Sequence, residues 1–218
     1  PDYVTGLFDP YARKFEGELV GKLDYRVPQQ LRLLINQAKP DLGAGLHVID
    51  LGCGTGLNGP LYRSIARRLE GCDLSTQMLE VAREKKVYDR LEVADLLVFL
   101  TRSDPPLDII LSTDVFIYYG ALDAVFKTVA QKLALEGVFA FSIETTDHPD
   151  FQLSESGRFG HNPDYVERLC TQNGLEILGR ADTEIRKGSQ GTSVMGHLYV
   201  LGRMIEQPQL PETEQVAG

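Results

Sequence analysis

The stretch Val48-Ile-Asp-Leu-Gly-Cys-Gly-Thr-Gly-Leu-Asn-Gly59 decides the fold. Leu46 to Leu51 is a short apolar run with the length of a buried strand. Three glycines follow at alternate positions, Gly52, Gly54 and Gly56. Glycine accepts positive φ and, lacking Cβ, lets a ligand touch the backbone. A helix is expected next, with its first amides facing whatever docks there. A tight structural turn has the same glycine content, so the neighbouring residues must separate the two readings.

A phosphate-binding P-loop requires Gly-Lys-Ser/Thr, and no lysine occurs between Lys39 and Lys85. The dinucleotide frame G-x-G-x-x-G fits from Gly54 to Gly59, but it starts late after the strand and leaves Asp50 and Gly52 unused. The frame that uses every feature is acidic-x-G-x-G-x-G, from Asp50 to Gly56.

Outward from this turn, strands and helices alternate. Strands are expected at 68–73, 91–94, 107–112 and 137–143, and helices at 75–86 and around 122–133. Ser75 has the character of an N-cap. This rhythm gives βαβ units and a doubly wound, mostly parallel α/β sheet. A helix at 162–173 ends at Gly174, and strands at 175–186 and 194–202 permit a terminal antiparallel hairpin. Upstream, Val4, Leu7, Phe8, Tyr11, Phe15, Leu19 and Leu23 recur at helical spacing, Pro28 interrupts, and a short helix runs from Gln29 to Ala38. One domain is expected over 1–203, with a helical lid (1–40), a cofactor-binding half (46–145) and a substrate-side half (146–203), then a tail at 204–218.

Asp50-Leu-Gly-Cys-Gly-Thr-Gly56 resembles motif I of the class I S-adenosylmethionine-dependent methyltransferases, and later landmarks fall in that family's order. The resemblance implies a seven-stranded Rossmann-like sheet, S-adenosylmethionine as cofactor, and binding by Asp50, Gly52, Gly54 and Gly56. Asp73, in Gly71-Cys-Asp-Leu-Ser75, resembles the acidic residue that holds the ribose hydroxyls. Met78 resembles the residue packed on adenine, and Asp95 the carboxylate near the adenine amino group. Ser112-Thr-Asp-Val-Phe116 resembles motif IV, which places Thr113 beside the reacting methyl. Phe8 to Phe15, Leu23 to Pro28 and Gly157-Arg-Phe-Gly-His161 are also similar to predicted methyltransferases fused behind tetratricopeptide repeats, which implies an N-terminal repeat domain in a longer chain.

Methyl transfer from a sulfonium is a displacement with a good leaving group, so orientation and exclusion of water carry most of the catalysis. A hydroxyl or ammonium acceptor also needs a base. His161, Asp114 and Glu144 lie after strands where ligands bind in such sheets, and are the catalytic candidates. Tyr11, Phe15 and Tyr25 are candidate lid residues, Arg26 a partner for the cofactor carboxylate, and Tyr118 with Tyr119 the pocket wall.

Composition limits the function classes. The 218 residues carry 22 Lys+Arg against 31 Asp+Glu, a net charge of −9, which disfavours a nucleic-acid backbone as main ligand. No Asp/Asn-Pro-Pro-Tyr/Phe motif follows the fourth strand, against methylation of exocyclic base amines. No Cys/His set has zinc spacing. No apolar run spans a membrane, and three cysteines, Cys53, Cys72 and Cys170, suit a reducing cytoplasm. A small-molecule methyltransferase is the leading reading. A protein substrate docked through a missing N-terminal region, a non-catalytic binding domain, and a nicotinamide enzyme using Gly54–Gly59 stay open.

Overall fold

A computed structural model describes Gly6, residues 25–187 and residues 193–205. The candidate lid residues Tyr11 and Phe15, the turn at 188–192 and the tail from 206 lie outside the described residues.

Helix α1 (Val27–Ala38) leads into strand β1 (Leu46–Leu51) and the single helical turn α2 (Gly59–Tyr62). Then come β2 (Ala66–Asp73), α3 (Thr76–Glu84), β3 (Arg90–Val93), α4 (Leu96–Arg102) and β4 (Leu107–Ser112). A 3-10 turn (Phe116–Tyr118) precedes α5 (Asp123–Lys132) and β5 (Leu133–Thr145). The chain continues through β6 (Phe151–Leu153), β7 (Phe159–His161), α6 (Pro163–Gln172), β8 (Leu175–Lys187) and β9 (Ser193–Arg203).

The sheet order is β3-β2-β1-β4-β5, parallel throughout, and β9 then pairs antiparallel with β5 and with β8. Strand order reverses between β1 and β4, so a crevice opens at their C-terminal ends, where such sheets bind ligands. Among the described residues the sheet has nine strands rather than the seven expected. The extra two are β6 and β7, an antiparallel hairpin whose β7 pairs with the last residues of β5, Glu144↔Gly160 and Thr145↔His161. They escape a sequence reading because three-residue strands carry almost no periodicity.

Alternate residues of the central strands feed two cores. Ile49, Ile110, Phe139, Phe141 and Tyr199 pack under α4, α5 and α6. Val48, Ile109, Val138, Ala140 and Leu198 pack under α1, through Val27, Leu31 and Ile35. Burial on both faces explains why these strands read as continuous apolar runs. Phe141 is the hub of the first core: its ring meets Phe116 at 5.4 Å, Phe126 at 5.7 Å, Phe139 at 4.7 Å and Tyr199 at 5.3 Å between centroids.

Two details differ from expectation. The short helix begins at Val27 rather than Gln29, so Pro28 sits in its first turn, where the missing N–H costs nothing and its fixed φ suits the start; the upstream residues Val4, Leu7, Phe8, Leu19 and Leu23 lie outside the described residues. The helix after the glycine turn is only four residues long, so no helix N-terminus is presented there of the kind a dinucleotide pyrophosphate requires.

Phe141→Ala is expected to destabilise the domain by about 3–5 kcal/mol, the range for deleting a fully buried aromatic ring. Denaturant titration of the two proteins measures it.

Candidate active site

The glycine turn is held by a buried carboxylate. Asp50 is fully buried at the end of β1. The Asn58 side-chain amide donates to its Oδ1 at 2.9 Å and the Tyr88 hydroxyl to its Oδ2 at 2.6 Å. The same Asn58 amide donates to Thr113 Oγ1 at 3.0 Å, which ties the turn to the end of β4. Burial raises the Asp50 pKa to about 6, and outweighs the two donors that favour its charge. Asp50 is therefore a brace for the loop, each of its oxygens accepting a hydrogen bond inside the core.

The three glycines have different jobs. All have positive φ: 67° at Gly52, 53° at Gly54 and 81° at Gly56. A Cβ on Gly52 would lie 2.4 Å from Val115, and one on Gly56 would lie 2.9 Å from Tyr88, so both permit close packing. A Cβ on Gly54 would meet nothing within 4 Å. Gly54 alone opens onto free space.

Asp73 ends β2 beside that space. Its Oδ2 accepts from Gly54 N at 2.9 Å and its Oδ1 from Ser75 N at 2.8 Å. Cys53 N donates to Cys72 O at 2.9 Å and Gly56 N to Cys53 O at 2.8 Å, which completes the turn. Lys85 Nζ donates to Thr55 O at 2.8 Å. Thr55 Oγ1 and Asn58 Oδ1 are buried without hydrogen-bond partners among the described residues.

Other candidates divide. Asp95 caps α4: its Oδ1 accepts from Leu97 N at 2.9 Å and Val98 N at 3.3 Å, and its Oδ2 from the Tyr119 hydroxyl at 2.6 Å. Met78 is only 2% exposed and so offers no open face for stacking, and its amide is capped by Ser75 Oγ. Tyr25 belongs to the core beneath α1 and is not a cleft residue, and Arg26 is exposed at that helix's N-cap position. His161 is fully buried, not a cleft base. Its Nε2 pairs with the Gly120 carbonyl at 2.9 Å, its ring stacks on Tyr165, and burial lowers its pKa. A neutral ring donating to that carbonyl fastens the β6–β7 hairpin to the loop before α5.

Asp114, Glu144 and Tyr118 do come together, all half-buried, at the C-terminal ends of β4 and β5. Asp114 adopts left-handed backbone, φ 57°, which Asp tolerates better than most residues. Its amide donates to Ser142 Oγ at 2.8 Å. Arg158, which sequence reasoning passed over, joins them from the hairpin. Burial opposes its charge, but the Tyr118 hydroxyl, Asp114 and Glu144 outweigh that and raise its pKa. The only available signal was its place in Gly157-Arg-Phe-Gly-His161, a fragment too short to locate in the fold. Ser142, Asn58 and Tyr88 were also missed, because their roles depend on contacts far along the chain.

Residues 48–137 match a family model described as a methyltransferase domain. The chain is 28% identical over 111 residues to malonyl-[acyl-carrier protein] O-methyltransferase of Acetivibrio thermocellus, covering 50% of this chain and 39% of that protein. It is 32% identical over 93 residues to the 18S rRNA (guanine-N(7))-methyltransferase RID2 of Arabidopsis thaliana, covering 40% and 30%. The chain spans half the length or less of curated relatives such as these. Magnesium protoporphyrin IX methyltransferase of Synechocystis PCC 6803, crystallised with bound S-adenosylhomocysteine, superimposes with a TM-score of 0.67 at 19% identity, over 92% of this chain and 97% of that one. The fold is that of the class I S-adenosylmethionine-dependent methyltransferases, and the match to the methyltransferase family model covers residues 48–137 of it. The cofactor of this class fits the residues present: a backbone cradle open at Gly54, a carboxylate at the next strand end, and no helix dipole that would demand a pyrophosphate.

Asp50 carries a prediction with a definite sign. Its folded pKa of about 6 lies above the unfolded value of 3.8, so the folded protein holds that proton more tightly. This group's contribution is most favourable below about pH 4 and is lost as pH rises through about 6, on the order of 3 kcal/mol. The stability of Asp50→Asn relative to wild type is therefore expected to improve by that order between pH 4 and pH 7. Urea titrations at both pH values measure it, and a difference independent of pH would remove the buried charge from the account.

Proposed function

We propose that this domain transfers a methyl group from S-adenosylmethionine to a nucleophilic atom of a small molecule, by in-line displacement. The observation that carries this reading is the Gly54 cradle. Open backbone lies beside the Asp73 carboxylate, at the reversal of strand order, on a turn braced by Asp50.

When bound, the cofactor supplies an electrophilic methyl group on sulfur. The residues have separate tasks. The backbone from Gly52 to Gly56 seats the amino-acid portion. Asp73, already anchored by two amides, offers its remaining lone pairs to vicinal hydroxyls, and charge strengthens those bonds. Asp95 and Met78 border the adenine end, the first through the α4 N-terminus that it caps. Thr113, held by Asn58, marks the end of β4 where the acceptor approaches. Orienting the acceptor in a dry cleft can be worth about 7–11 kcal/mol, so few catalytic groups are needed.

A small acceptor is supported by the charge of −9, which opposes an RNA backbone. The similarity to rRNA methyltransferases favours RNA as the second reading. A protein substrate docked through an N-terminal repeat domain, and a binding domain without turnover, are the further alternatives. A reducing cytoplasm is supported by the three free cysteines, and no described helix is long and apolar enough to cross a membrane.

Isothermal titration with S-adenosylhomocysteine, with NAD as control, tests the cofactor. Micromolar binding of the first and none of the second is expected, and binding of NAD alone would overturn the reading. Asp73→Ala is expected to weaken S-adenosylhomocysteine binding by about 1.5–3 kcal/mol, the range for hydrogen bonds to a charged group. Unchanged affinity would place Asp73 outside the site.

A further inference from the structure

In the sheet order β3-β2-β1-β4, strands β3 and β4 flank β2, which ends in Asp73, and β1, which runs into the glycine turn. Asp95 lies just beyond β3, and the intervening Ala94 N donates to Asp73 O at 3.1 Å. Tyr119 follows the 3-10 turn beyond β4, and its hydroxyl donates to Asp95 Oδ2 at 2.6 Å. One hydrogen bond therefore joins the two segments that leave the strands on either side of Asp73 and the glycine turn.

Asp95 is restrained at both oxygens. Oδ1 accepts from Leu97 N at 2.9 Å and Val98 N at 3.3 Å, and Oδ2 from Tyr119. A carboxylate held by one oxygen can still turn about its Cβ–Cγ bond, and the Tyr119 contact fixes its plane. Each carboxylate oxygen has two lone pairs, so Oδ2 can accept from a second donor while Tyr119 holds it. Both side chains are half-buried, so part of each remains reachable.

Tyr119 is itself firmly seated. Its amide donates to Phe116 O at 2.9 Å, and the Phe116 ring is buried against Phe141 at 5.4 Å between centroids. The next residue, Gly120, pairs through its carbonyl with His161 Nε2 at 2.9 Å, and a Cβ there would lie 2.8 Å from Phe151. Burial, then the Asp95 carboxylate, raise the Tyr119 pKa, so its hydroxyl stays a donor at neutral pH. A contact carried on packed elements of this kind holds its geometry.

A fixed carboxylate reads a purine differently from a mobile one. Adenine offers an amino donor at C6 and an acceptor at N1. A 6-oxo purine offers an acceptor at C6 and carries its donor one position away, as N1–H. A carboxylate that turns freely can follow the donor and pair with either base. One fixed at both oxygens cannot follow it, and meets the 6-oxo oxygen with its own. Rejection then comes from polar groups that cannot re-pair.

We propose that Tyr119 is the positioning residue that sets purine selectivity: it holds Asp95 where a 6-amino purine pairs with it and a 6-oxo purine does not. The proposal rests on the methyltransferase reading, in which Asp95 borders the adenine end of the cofactor, and concerns how that site selects its cofactor.

Calorimetric titration of the full chain with S-adenosylhomocysteine and with S-inosylhomocysteine, its deaminated form, tests it. The wild type is expected to bind the first about tenfold or more tighter than the second. Tyr119→Phe keeps the ring and its packing, so the fold is retained. It is expected to lower that preference about threefold or more, because the released carboxylate can follow the donor. A purely structural role would weaken both ligands alike, and a preference unmoved in Tyr119→Phe overturns the proposal. Asp95→Asn tests the same contact from the other side. Asn caps a helix as well as Asp, so its oxygen stays on the α4 amides and its own N–H group stands where Oδ2 was. The preference is expected to shift toward the inosine form, and a preference unmoved in this variant places Asp95 away from the purine and overturns the proposal. Equal affinity of the wild type for both ligands also overturns it but leaves the methyltransferase reading intact, whereas binding of neither overturns that reading itself.

Discussion

A carboxylate buried at the end of a central strand must be satisfied within the protein, and Asp50 is satisfied by two donors from distant parts of the chain. Asn58 comes from just beyond the glycine turn and Tyr88 from before β3. Leaving a buried charge unpaired costs several kcal/mol, so these bonds fix where the turn, α2 and the β3 edge lie relative to β1. The turn can then be thin: glycines pack against Val115 and Tyr88, and one opens outward. Asn58 extends the network to Thr113, so the same carboxylate sets the distance between the glycine turn and the end of β4.

The opposite wall of the crevice follows from a branch in the sheet. β5 is thirteen residues long and pairs with β9 along its middle, then with β7 at its end. That extension lifts the β6–β7 hairpin over the C-terminal ends of β4 and β5. Aromatic packing among Phe151, Phe159, His161 and Tyr165 seats it, with His161 serving as a neutral clamp. The half-buried ionisable residues of the site lie between this hairpin and the braced turn.

Much of this was legible in the sequence. The β4 boundaries, the Ser75 cap, the parallel order implied by alternating elements and the terminal hairpin all correspond to the observed elements. Local signals sufficed there: apolar runs buried on both faces, a capping side chain and glycine punctuation. The signals failed where a residue type has two uses. Asp50 and His161 are chemically suited to bind or catalyse, but burial turned both to holding loops together. Tyr25 carries an aromatic ring suited to a lid, but it packs beneath α1. Arg158 carries no local signal of its place, because a hairpin with no periodic signature brings it near two acids.

By itself, then, the sequence determined the class of fold and the position of the glycine turn. Strand burial, glycine spacing and chain order are local or pairwise properties that a linear text preserves. Only the tertiary structure decided which glycine faces open space, which carboxylates brace and which remain half-exposed, and which cation joins them. Those outcomes depend on side chains separated by eight to more than forty residues meeting in a medium where an unpaired charge is costly.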